Sequence, residues 1–168
     1  MAHLARIIII ALLYISTSSQ SSAQSIGDSR VYSRLLQSLQ YADIFRLKIG
    51  ETCAANSSIA NSRLRTLCTD ISSLPDKVIN QAAEPQIRKY VSLEEARRAL
   101  AFWSSPEGAG ISRNIVAYMR GRAEDLTPSE VTALQRANRS SYGIALNRFA
   151  NDRNASTAII YEVAANAP

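Results

Sequence analysis

Two stretches 35 residues apart open on the same helix-start signal, and this repeat constrains the fold more than any other feature of the chain. Ser92-Leu-Glu-Glu95 and Thr127-Pro-Ser-Glu130 each place a hydroxyl before a helical pattern and a glutamate three positions on. The hydroxyl accepts from an orphan backbone N–H of the first turn and the glutamate reaches back to the cap's own N–H, so each stretch reads as a capping box. The offset holds downstream, where Ser105 matches Ser140, Gly108 matches Gly143 and Arg113 matches Arg148. Apolar positions follow it too: Val91 with Leu126, Ala96 with Val131, Ile111 with Leu146. Residues 91–154 therefore read as two related helical hairpins, a duplicated helix-turn-helix. The period is close to that of helical solenoids, but the Trp-Leu-Gly-Tyr consensus of tetratricopeptides is absent. Two copies are also too few to stack, which leaves a compact bundle.

Elsewhere the same 3–4-residue spacing recurs. Val31, Leu35, Leu39, Ala42, Phe45 and Ile49 form one face of an amphipathic helix over about residues 30–49, closed by Gly50. Cys53 to Ser58 reads as a turn, followed by a helix over about residues 59–72. A third helical piece starts at Ser73-Leu-Pro75, runs through Val78, Ile79 and Ala82, and is expected to stop near Pro85. Ser105-Pro106 starts a helix that Gly121 should end, and a last one over about residues 155–164 packs through Ile159, Ile160 and Val163. No alternating pattern of strand length occurs. The expected fold is all-α, a compact bundle of about six to eight helices.

The N-terminus bounds the compartment. A short positive segment ending at Arg6 precedes an apolar run from Ile7 to Ile15, and small residues at Ser21 and Ala23 suit a signal peptidase. A membrane-spanning helix needs roughly 20 apolar residues, about twice this run. Residues 1–23 are therefore read as a cleavable signal peptide. Residues 24–168 are read as a single helical domain, frayed over 24–28, with no transmembrane segment, destined for the periplasm or secretion. In an oxidising compartment Cys53 and Cys68 pair by default. The 15-residue loop that they close implies about 3 kcal/mol of stabilisation in chain-entropy accounts.

Processing also removes chemistry. His3 is the only histidine and leaves with the signal, so triads built on imidazole and histidine-held metal hydrolysis are excluded. The two sulfurs alone cannot complete a tetrahedral zinc site, no glycine-rich phosphate loop is present, and no cofactor is expected. Paired-carboxylate hydrolysis of cell-wall polymer survives as an alternative, with Glu51, Glu94, Glu95, Glu107 and Glu130 as candidates. Glu95 and Glu130 belong to the capping boxes, Glu94 is placed to pair with Arg98, and Glu107 suits a helix N-terminus, which leaves Glu51 alone without a structural role. The formal charge of +5 falls by one with Arg6, and basic and acidic residues alternate without a stripe, which speaks against nucleic acid. A mildly basic surface does allow another periplasmic protein or an anionic envelope component as partner, with the oligomeric state undetermined. A carrier of lipid or other hydrophobic ligand would require a sizeable apolar cavity between the helices. Asn56, Asn138 and Asn154 begin formal N-glycosylation acceptors, relevant only in a eukaryotic host.

The run Val91-Ser-Leu-Glu-Glu-Ala-Arg-Arg-Ala-Leu-Ala-Phe-Trp-Ser-Ser-Pro-Glu-Gly108 resembles a bacterial exported family described as domain of unknown function 2059. The shared pattern is a helix opened by Ser or Thr and Glu, an aromatic pair, then Ser-Pro-x-Gly. Here it falls on Ser92, Glu95, Phe102, Trp103, Ser105, Pro106 and Gly108, with Trp103 where the family more often has Tyr. The likeness covers roughly a fifth of the chain; it implies a helical periplasmic domain and carries no activity with it. Phe102 and Trp103 are adjacent, hence about 100° apart on a helix, and cannot both face the core. Packing in the core or at its edge is the main expectation for the pair; the alternative, one of them at the edge of a groove, makes Phe102, Trp103, Ser105, Pro106 and Gly108 the candidate partner-binding set.

Overall fold

The computed structural model describes residues 27–55, 68, 70, 73–122 and 125–166, and the chain divides into two units, residues 1–30 and 31–168. Of the first unit only residues 27–30 are described, and they are helical. The expected signal peptide, most of the frayed stretch, Asn56 and nearly all of the helix expected over 59–72 lie outside the described residues. Cys68 and Asp70 are described, and both are helical. The second unit comprises α1 (31–38), α2 (Tyr41–Ala55), α3 (Asp76–Ile87), α4 (Leu93–Trp103), α5 (Pro106–Met119), α6 (Pro128–Arg139), α7 (Ser141–Asn151) and α8 (Arg153–Ala165). The described residues are thus all-helical, with eight helices and the Cys53–Cys68 disulfide at a Cα–Cα separation of 5.7 Å.

Where the sequence suggests one helix over 30–49, there are two. The chain turns at Gln40, whose φ of 51° lies in the left-handed region that non-glycine residues enter at a cost. The corner is closed by Gln40 N–H donating to the Gln37 carbonyl at 2.9 Å and by Ile44 N–H donating to the Gln40 carbonyl at 3.2 Å. Leu35 and Leu36 before it, and Ala42 and Phe45 after it, are all buried, so core packing holds the turn in place. Gly50 does not end α2, which runs on to Ala55 and places Cys53 on a helix rather than in a turn. Pro85 does not stop α3 either. It removes one hydrogen bond to the carbonyl of Gln81, an exposed residue, while Ala83 and Ile87 are buried on the opposite face.

The repeat is realised in atoms. Ser92 Oγ accepts from Glu95 N–H while Glu95 accepts from Ser92 N–H at 2.9 Å, and Thr127 and Glu130 reproduce both contacts. Ser105 Oγ accepts from Gly108 N–H at 3.1 Å and donates to the Phe102 carbonyl; Ser140 does the same with Gly143 and Ala137. The two hairpins, α4–α5 and α6–α7, face one another reciprocally: α5 packs on α6 and α4 on α7. The Glu95 and Glu130 carboxyls are held below their ordinary range chiefly by their bonds to Ser92 and Thr127, and to a lesser degree by Arg148 of the second copy and Arg113 of the first respectively. The match is not complete, since Ala96 is fully buried but its counterpart Val131 is 39% exposed.

Around this bundle α3 packs on α8 and α2 packs on α3 and α5. Leu74, Ile79, Ile87, Val91, Ile111, Ile159 and Val163 are shut off from solvent between them. Each such side chain contributes about 1.5–3 kcal/mol through burial. Arg46 ties α2 down by donating to the Leu74 carbonyl and to Asp76 at the start of α3, and Arg120 at the end of α5 donates to Asp43 at 2.9 Å.

Candidate functional site

Because α2 rests on α3 and α5, a gap opens between it and α6, α7 and α8. This cleft has a volume of about 560 Å³ and is walled mainly by apolar side chains. Helical spacing explains who lines it. Ile44, Phe45, Lys48, Ile49 and Thr52 share one face of α2; Tyr142, Leu146, Phe149 and Ala150 share one face of α7; Ser156 and Ile160 sit four apart on α8. Leu39 and Tyr41 at the Gln40 corner, Trp103 at the end of α4, Ile115 of α5, and Leu134, Ala137 and Asn138 of α6 complete the wall with Gly143 and Asn147.

Aromatic rings frame the space. Tyr41 lies 5.8 Å from Phe149 and 6.3 Å from Phe45 between ring centroids, and Phe102 stands edge-on to Trp103 at 5.0 Å and 6.4 Å from Tyr142. These are the separations at which offset and edge-to-face pairs are favourable. Burial pushes the Tyr41 phenol well above its ordinary range, so it stays neutral. Lys48 is exposed and, among the described residues, is the only one of the lining that carries a charge at neutral pH. Trp103 is 7% exposed, and its indole Nε1 is buried with no acceptor among the described residues.

The 35-residue offset shows how the two copies differ at the cleft. The first copy has Phe102 and Trp103 at the end of its first helix; the second has Ala137 and Asn138 at the matching positions, and both of these line the cleft. A bulky aromatic pair is replaced by two small side chains.

Of the five residues singled out in the Ser-Pro-x-Gly motif, Trp103 alone lines the cleft. Phe102 is half-buried beside it, touching Trp103 and Tyr142. Ser105 and Pro106 start α5 as N-cap and first residue. Gly108 is buried because a Cβ there would strike the Phe102 carbonyl oxygen and come within 2.8 Å of Trp103 Cα. None of the candidate carboxylates Glu51, Glu94, Glu95, Glu107 and Glu130 lines the cleft. Glu95 and Glu130 are occupied in their capping boxes, Glu94 pairs with Arg98 at 3.3 Å, and Glu51 is exposed on α2. Among the described residues no group of three or more His, Cys, Asp and Glu could hold a metal ion, and no helix is long and apolar enough to cross a membrane.

The cleft residues other than Trp103 escape a motif reading, because none belongs to a recognisable pattern. The signal that could have found the site is the loss of the aromatic pair between the two copies. Comparison with protein-family profiles, with curated proteins and with solved structures finds no match to this chain in any of the three.

Proposed function

We propose that this chain works outside the cytoplasm as a binding protein without catalysis of its own, and that the cleft between α2 and α6–α8 is where it binds. The observation that carries this reading is the cleft itself: about 560 Å³, apolar, and rimmed by a few polar groups, as small-molecule sites are. A hydrophobic-ligand carrier requires such a space between helices. The disulfide and the basic, apolar and small-residue sequence of the N-terminus favour an exported protein, and the likeness of Val91–Gly108 to the exported family points the same way. The absence of every candidate glutamate from the cleft wall supports binding over hydrolysis, since a glycosidase needs two carboxyl groups flanking its substrate.

The test has two parts. N-terminal sequencing of protein recovered from an envelope fraction should begin at Gln24. Native mass spectrometry of the same material should show a mass above that of the bare chain which disappears on extraction with organic solvent. A bare chain that releases fragments from peptidoglycan would sink the binding reading in favour of the hydrolase.

A further inference from the structure

Resting on the reading of the cleft as a binding site, we infer that its ligand is a single-chain anionic amphiphile, a long-chain carboxylate of the fatty-acid kind. The volume suits one small molecule. Its walls include Phe45, Ile115 and Leu146, so the body of the ligand is hydrocarbon. The head follows from charge. Lys48 is exposed and pairs with no carboxylate among the described residues. Among the described residues no Asp or Glu lines the cleft, so a cationic head meets repulsion without compensation, while an anionic head gains an attraction that a neutral one does not. Trp103 also lines the cleft, and because its indole Nε1 is shut off from the cleft as it is from solvent, the residue offers the ligand apolar surface.

The chain has a single tryptophan and it lies in the wall of the cleft, so its fluorescence reports occupancy. The purified protein is titrated with laurate, dodecyltrimethylammonium and dodecanol, each below the concentration at which it self-associates. Laurate should shift Trp103 emission saturably, with an affinity at least about tenfold above that of the cationic amphiphile, and Lys48→Glu should reverse that order. Lys48 is exposed, so this variant should fold. Equal responses to all three heads, or an order that Lys48→Glu does not move, overturn the anionic ligand while leaving the cleft a hydrophobic site. No response to any of them, with no uptake of the neutral dye Nile red, overturns the cleft as a binding site altogether. A response to phosphatidylglycerol vesicles that free laurate does not reproduce overturns the single-chain ligand in favour of a membrane surface.

Discussion

The Tyr90 phenol donates to Asp152 Oδ2 at 2.5 Å, while Oδ1 of the same carboxylate accepts the backbone N–H groups of Asn154 and Ala155 at 2.6 and 3.1 Å. One side chain thus caps α8 and fastens it to the loop between α3 and α4, beside the ring of Phe149, which lies 6.1 Å from Tyr90. The hydrogen bond from Tyr90 holds the Asp152 carboxyl below its ordinary range, and Asp152 in turn holds the Tyr90 phenol above its own.

The pH dependence of stability follows from these directions. A carboxyl depressed in the folded state adds stability above its unfolded value and loses it as pH falls through the folded one; a raised phenol adds stability below its unfolded value and loses it as pH rises further. The Tyr90–Asp152 contact should therefore contribute fully between about pH 4 and pH 10 and fade on either side. Glu95 and Glu130, held down chiefly by Ser92 and Thr127, fade on the acid side as well. Thermal unfolding followed by circular dichroism from pH 7 to pH 3 should show the midpoint falling. In a Glu95→Gln/Glu130→Gln/Asp152→Asn variant the fall should be distinctly shallower, from a lower starting midpoint.

The matching glycines give a paired prediction. A Cβ at Gly143 would strike the Ala137 carbonyl oxygen and come within 2.9 Å of Asn138 Cα, the counterpart of the clash at Gly108. Both obstacles are backbone and cannot swing aside. Gly108→Ala and Gly143→Ala should each lower the unfolding free energy by about 2–3 kcal/mol, as overpacking does. Gly50, with open space around it inside α2, should respond oppositely, gaining about 0.5–1 kcal/mol on Gly50→Ala. Urea titrations of the three variants separate the two cases.

Reduction of the disulfide should be felt globally. Cys53 and Cys68 are 15 apart in sequence, and opening a loop of that size removes about 3 kcal/mol in the chain-entropy account. Unfolding with and without reductant, and of Cys53→Ser/Cys68→Ser, should show that loss at unchanged helix content below the transition.

Asn138→Trp tests the origin of the cleft. Asn138 is exposed, lines the opening, and stands where the first copy has Trp103. Restoring the indole should leave the melting temperature nearly unchanged and weaken Nile red uptake about tenfold, read by dye fluorescence because the variant carries two tryptophans.

What the sequence made legible was local. Ser92, Ser105, Thr127 and Ser140 announce helix starts because an N-cap needs only a hydroxyl and the next three residues to act. The corner at Gln40 gave no such sign, since neither glycine nor proline marks it and the turn is imposed by Leu35, Leu36, Ala42 and Phe45 seeking the core. Pro85 misled for the complementary reason: its local penalty is small where the orphaned carbonyl belongs to exposed Gln81, and the burial of Ala83 and Ile87 outweighs it. Helical geometry alone separated Phe102 from Trp103 without telling which of the two meets a groove. The groove itself could not be read from it, because a void is defined by side chains that are missing, and Lys48 acquires its role only from neighbours contributed by other helices.

The hollow beside Ala137 and Asn138 is subtraction rather than addition. Two castings from one mould share their joints, their caps and their tight crossings, and differ in how much filling they were given. Among the described residues a pocket made by thinning one casting has no dedicated loop or lid that could be deleted to abolish it, and the frame around it is the frame that both castings need in order to stand. Such a site is free to be reshaped, side chain by side chain, with the architecture left as it was.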